Sequence, residues 1–202
     1  MGRREKLFPV TALVLVVLQI ATVLFSWIVS SVSPTLPYRS ILSSDGLRWF
    51  FGSFVDNISC PLLTWLVLIV IAYGAYVHSG LKSALITFRK SDYRQRHALS
   101  LSITVGGVIL LLFSILSFVP HAILLGVSGC LFPSPFSSAL IPVLAFILVL
   151  SSVVYGLACG RYSTVTEIFR GLYEGFYMFA PVFPIYILVV ELYYSVRYVL
   201  IL

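Results

Sequence analysis

A chain of 202 residues that is 60% hydrophobic and only 10% charged cannot cover a water-facing surface. Soluble domains keep about a quarter of their residues charged, and the mean hydropathy here is +1.06, so the composition is that of an integral membrane protein. The net charge of +6 does not point to nucleic acid, because nearly all the charges lie in short segments between apolar runs, where they report topology.

Met1 to Lys6 is a short basic head, and an apolar run from Leu7 to Val32 follows it. A bilayer core needs about 20 apolar residues in a helix, whereas a signal-peptide core has about 7–15, so residues 7–32 are read as a retained first span. Gly2 does not start a myristoylation site, since Lys6 stands where that pattern needs Ser or Thr. Ser33-Pro34-Thr35-Leu36-Pro37 breaks the helix.

In residues 44–57, Leu47, Phe50, Phe51, Phe54 and Val55 recur at helical spacing. With Trp49 and the charges on the other side, this predicts an interfacial amphipathic helix. Pro61 to Val77 is the second span, with Tyr73 and Tyr76 near its far end. The segment from His78 to His97 holds Lys82, Arg89, Lys90, Arg94 and Arg96 against a single Asp92. The third span is read over 98–119 and the fourth over 139–159, with Pro142 in the first turn, where proline costs least. A charged connector over 161–175 leads to a fifth apolar run over 176–202, which contains Pro181, Pro184, Glu191 and Arg197. The whole is read as one all-α membrane domain, residues 1–202.

The charges orient it. With the N-terminus inside, ten Lys and Arg side chains fall on the inner side, and three, Arg39, Arg48 and Arg197, fall outside. Positive charge collects on the cytoplasmic side of membrane proteins. The expectation is a multi-pass inner-membrane protein with a cytoplasmic N-terminus and an external C-terminus.

Between the third and fourth spans the sequence changes character. Residues 121–138 carry no charge but contain Gly126, Ser128, Gly129, Pro133, Ser134, Pro135 and Ser137. Two structures fit. One is a re-entrant hairpin whose unwound tip offers backbone groups and the hydroxyls of Ser128, Ser134 and Ser137 to a solute. The other is an apolar loop on the membrane surface.

Few chemical groups remain. His78, His97 and His121 each lie near a membrane boundary, and the sequence has no HExxH, GxSxG or phosphate-binding loop. Cys60, Cys130 and Cys159 lack metal-ligand spacing. No catalytic set, metal site or cofactor is expected. Glu191 is the exception, an ionisable group deep in an apolar run, which is a functional hypothesis by default. It serves as an ion ligand or proton relay, or it is a neutral carboxyl, or it pairs with Arg197. The six-residue spacing keeps Glu191 and Arg197 off a common helix face.

Several stretches resemble the AbgT family, the p-aminobenzoyl-glutamate transporters. Ile41-Leu42-Ser43-Ser44-Asp45-Gly46-Leu47-Arg48-Trp49 and the later Ser79-Gly80-Leu81 are similar to a block after the family's first helix. Tyr155-Gly156-Leu157-Ala158-Cys159-Gly160 resembles a helix end near its C-terminus, and Gly126-Val127-Ser128-Gly129 resembles a hairpin motif. Members are more than twice as long, and the polar residues expected around their substrate have no counterpart here. The resemblance implies transport of a small anionic solute coupled to an ion. Gly126, Ser128, Gly129, Ser134 and Ser137 would then sit at the site, with Glu191 as the ion-linked carboxylate. Five spans hardly enclose a pathway, so a homo-oligomer in the lipid bilayer is implied. The alternative is a non-transporting remnant or accessory membrane protein.

Overall fold

The computed structural model describes residues 3–32, 38–86, 93–118 and 135–201. Among them every regular element is a helix. Five helices are long and apolar enough to cross a membrane: Leu7–Val32, Pro61–His78, Tyr93–Ser117, Phe136–Cys159 and Val182–Leu200. This makes the chain an all-α, multi-pass membrane protein. Residues 119–134, which include Gly126, Ser128, Gly129, Ser134 and Cys130, lie outside the described part.

The helices fall into two compact units, one of residues 1–63 and 179–202, the other of residues 64–178. In the first, α1 (Arg3–Val32) packs on α9 (Val182–Leu200). Gln19 of α1 meets Ser195 of α9, while Ser26 and the chain just after α1 meet Ile41 and Val199. Numbers therefore rise together along both helices, and the first and fifth spans run in the same direction, as an odd number of crossings requires.

Two short helices, α2 (Ser44–Gly52) and α3 (Phe54–Ile58), lie lengthwise along α9. Trp49 stacks on Tyr198 with ring centroids 4.2 Å apart, and the Tyr186 hydroxyl donates to the Ile58 carbonyl at 3.0 Å. The twelve residues from Tyr186 to Tyr198 cover about 18 Å of helix, so the α2–α3 pair runs antiparallel to α9. Ser43 caps α2 by accepting from the Gly46 N–H at 3.0 Å. Gly46 also lets the helix start press on the preceding turn, where a Cβ would strike the Ser40 and Ile41 carbonyls. The apolar face read from the spacing points outward, with Phe51 and Val55 exposed, while Gly46 and Asn57 are buried. That polarity is the reverse of a soluble helix and suits a lipid surround.

The second unit is built on a hairpin of α6 (Tyr93–Phe118) and α7 (Pro135–Cys159), joined by α4 (Pro61–His78), α5 (Leu81–Ile86) and α8 (Val165–Phe179). In the hairpin, buried Ser102 donates to the Ser151 carbonyl at 2.7 Å, and the small residue Gly106 sits against Ser151. Small residues allow this close approach, which replaces the hydrophobic drive that lipid removes. α7 begins four residues before the span read from sequence, so Pro142 lies two turns inside it rather than in its first turn.

Two helix ends are closed by glycine. Gly160 has φ +79°, the Arg161 N–H reaches the Gly156 carbonyl at 2.8 Å, and the Gly160 N–H reaches Leu157 at 3.0 Å, a Schellman close to α7. Gly80, with φ +82°, follows α4. The Arg94 guanidinium lies at Gly160 and that of Arg161 at Gly80, placing positive charge at the negative ends of both helix dipoles.

The sequence gives 161–175 as a connector and 176–202 as one run, but the break falls elsewhere. Helix α8 covers most of the connector and ends at Phe179, and α9 starts at Val182. Pro181 cannot supply the N–H that would continue α8, so the chain turns there. The start of α8 is fixed by a capping box, in which Glu167 accepts from the Thr164 N–H at 3.2 Å and Thr164 Oγ1 accepts from the Glu167 N–H at 3.3 Å, with a further bond from the Ser163 N–H to Glu167 at 2.6 Å.

Candidate functional site

The polar groups of the first unit collect on one side of α9. Glu191 and Ser195 are four residues apart, so they share a helix face, and both are buried. Gln19, from the middle of α1, donates through Nε2 to Ser195 Oγ at 2.8 Å. Asn57, near the end of α3, faces the Glu191 carboxyl. Thus Gln19, Ser195, Glu191 and Asn57 form a polar seam through an otherwise apolar packing of three helices.

The seam is incompletely bonded. Gln19 Oε1, Asn57 Nδ2 and both Glu191 oxygens have no hydrogen-bond partner of good geometry, although Glu191 is only 6% exposed and Asn57 only 7%. A buried polar atom without a partner costs about 1–3 kcal/mol. Four such atoms on three residues of one seam mark a place that packing does not explain. Of the three readings of Glu191, pairing with Arg197 has no hydrogen bond to support it, since neither carboxyl oxygen has a hydrogen-bond partner of good geometry.

Next to the seam opens a recess of about 450 Å³. Its wall includes Arg39, Trp49, Asp56, Asn57, Arg197 and Tyr198. The Arg39 guanidinium carbon lies 5.8 Å from the Tyr198 ring centroid, over the ring that also stacks on Trp49. Asn57 belongs to both places, lining the recess and facing Glu191. Lower on α9, Tyr186 contacts the Cys60 sulfur at 2.9 Å and fixes the end of α3.

The second unit carries two lesser candidates. His78 Nδ1 stands 4.0 Å from Glu174 Oε2 and stacks on the Tyr162 ring, with Gly171 allowing the approach. Burial pushes the Tyr162 phenol above its ordinary range. A cavity of about 700 Å³ is walled by such residues as Leu68, Ile109, Phe113, Pro142, Phe146 and Leu172, which offer dispersion contacts only. Among the described residues, no three His, Cys, Asp or Glu side chains come together in a way that would hold a metal.

Of the residues singled out from sequence, Glu191 is at the seam. Ser137 lies in the first turn of α7, half-buried, in the second unit, and not in an unwound segment. Gly126, Ser128, Gly129 and Ser134 are outside the described residues. Sequence reasoning missed Gln19, Asn57 and Arg39. For Gln19 a signal existed, since it is an amide at the centre of a 26-residue apolar span, where polar side chains face other helices.

No protein-family model matches the chain, no curated protein matches its sequence, and no solved structure matches its fold.

Proposed function

We propose that this protein is an AbgT-like transporter of a small anionic solute, coupled to an ion gradient through Glu191 and acting as a homo-oligomer. The reading places it in the cell inner membrane with the N-terminus in the cytoplasm, on the charge distribution of its connecting segments. One observation carries it, the buried Glu191 carboxyl with both oxygens unpartnered inside a span. A carboxylate in that setting is neutralised by a proton or a cation, and exchange between the charged and neutral forms is how intramembrane carboxyls couple to gradients. Asn57, whose amide faces the carboxyl, is the neighbouring polar group available to that exchange.

Proteoliposomes loaded with radiolabelled p-aminobenzoyl-glutamate, under imposed proton or sodium gradients, test this directly. Gradient-dependent flux, lost in Glu191→Gln, is expected. Absence of flux under every gradient would remove the transport reading, and full flux in Glu191→Gln would remove the role of the carboxyl. The rival reading, an accessory membrane protein, draws on the apolar face of α1, where Leu7, Val10, Leu13 and Val17 are all more than half exposed.

A further inference from the structure

We infer that Glu191 stands as a neutral carboxylic acid in the folded protein, and that the ion it exchanges is a proton and not a metal cation. The inference names the ion of the transport reading and rests on that reading only for the proton's onward movement.

Three observations carry it. First, the side chain is enclosed. Glu191 is 6% exposed, lies within the span Val182–Leu200, and neither of its oxygens has a hydrogen-bond partner of good geometry. An uncompensated charge is not kept in such a place, and one proton bound to a carboxyl oxygen removes it without any further ligand. Second, the polar group that faces the carboxyl is the Asn57 amide, whose Nδ2 has no partner either. An amide N–H is a donor, so it suits a carboxyl oxygen and adds nothing to the shell of a cation.

Third, a metal ion would lack oxygens. Hard cations take about six oxygen ligands, and membrane helices supply backbone carbonyls to ions where they are unwound. Here α1 and α9 continue as helix past Gln19 and Glu191. Around α3, the Ser53, Val55 and Ile58 carbonyls already accept from the Asn57 N–H, the Ser59 N–H and the Tyr186 hydroxyl. Ser195 Oγ accepts from Gln19. Among the side chains of the seam, Gln19 Oε1 and the two Glu191 oxygens are left without a partner, three against about six. Glu191 and Asn57, at 6% and 7% exposure, are too enclosed for water to make up the difference.

The titratable groups on the neighbouring elements do not bond the carboxyl. From Leu7 to Val32, α1 has none. Arg39, Asp45, Arg48 and Asp56 belong to the segments beside α9, and Tyr194 and Arg197 to α9 itself. None of them hydrogen-bonds either Glu191 oxygen.

The chain has four glutamates, Glu5, Glu167, Glu174 and Glu191, few enough for a carboxyl label to be read residue by residue. The full chain, carrying carbon-13 at the glutamate side-chain carboxyl, is held in an uncharged maltoside detergent and examined by NMR. At about pH 7, far above the ordinary glutamate value of about 4.3, one resonance should stand at the position of the protonated acid. It should be lost in Glu191→Gln and in Glu191→Leu, the second covering the case in which the first does not fold. Saturating sodium, potassium or magnesium chloride should leave it in place. Absence of an acid resonance, one that survives both substitutions, or its conversion to a carboxylate by any of the salts overturns the inference. An acid at Glu191 without flux in proteoliposomes under any gradient would sink the transport reading alone. Flux driven by a sodium gradient with no proton gradient would sink the proton assignment and leave transport standing.

Discussion

Gly74 of α4 and Gly175 of α8 meet backbone to backbone. A Cβ on Gly74 would strike the Gly175 amide, and one on Gly175 would strike the Val70 carbonyl. No flexible side chain stands in the way, so neither clash is relieved by a rotamer change and the helices must separate. Overpacking of this kind costs about 1–3 kcal/mol. Both Gly74→Ala and Gly175→Ala should therefore lower the thermal unfolding midpoint in detergent. Gly107→Ala is the control, because its Cβ meets nothing within 4 Å, and it should leave the midpoint unchanged or slightly raised, alanine being the better helix former. Equal midpoints for all three variants would show that α4 and α8 do not touch at these glycines.

The Gln19–Ser195 hydrogen bond ties α1 to α9 at 2.8 Å. Ser195→Ala leaves Gln19 Nε2 as a donor without a partner, beside Gln19 Oε1, an acceptor that already lacks one. Hydrogen bonds between membrane helices contribute about 0.6–1.7 kcal/mol, so a loss near 1 kcal/mol is expected. Replacing both residues, Gln19→Leu with Ser195→Ala, removes donor and acceptor together and should recover part of that loss. A double variant as unstable as the sum of the two single ones would show that the bond has no part in holding α1 to α9.

The legibility of this molecule in its sequence differs by kind of feature. The five spans were readable because each is a long apolar run between charges, and the structure has helices at all five. The boundary at Pro181 was less readable, since the apolar character continues through it while the backbone does not. The face of α2–α3 was readable from the spacing of Leu47, Phe51 and Val55, whereas its partner on α9 is a matter of tertiary packing. At the candidate site, Glu191 stood out because a carboxyl in an apolar run is costly by itself. Asn57 did not, because it sits 134 residues away in a polar stretch where an asparagine is unremarked. Only folding brings the two together.

Glu167 provides a pH-dependent feature outside the spans. The Ser163 N–H at 2.6 Å, the Ser163 hydroxyl at 3.0 Å and the Thr164 N–H at 3.2 Å all donate to its Oε2. These bonds favour the carboxylate and hold it below the ordinary range, the Ser163 backbone bond first. A carboxyl lowered in the folded state contributes stability that is complete above its unfolded value, about 4.3, and is lost as pH falls through the folded value. Amide exchange at Ser163 and Thr164, corrected for intrinsic rate, should therefore be protected at neutral pH and lose protection below about pH 4. In Glu167→Gln the protection should no longer follow this pH course. The same acid-dependent loss in Glu167→Gln would show that another group governs the start of α8.

Glu191 sets stability against function in a way that one substitution separates. Its carboxyl is buried and neither oxygen has a partner, so the fold bears its desolvation without a compensating bond. Leucine is close in size and carries no polar atom. Replacing a buried unpartnered polar group by an apolar one of similar shape is neutral or stabilising. Glu191→Leu should accordingly unfold at the same temperature as the wild type or higher, with a gain of up to about 1–3 kcal/mol. Asn57 keeps its unpartnered amide in that variant, which limits the gain. On the transport reading, flux in proteoliposomes should be abolished, because Glu191 is the group that the reading assigns to the coupling ion. A stable, inactive Glu191→Leu is the signature of a residue kept for function at the expense of stability. A strongly destabilised one would mean that the carboxyl holds the helices together, and its place in ion coupling would then have to be given up.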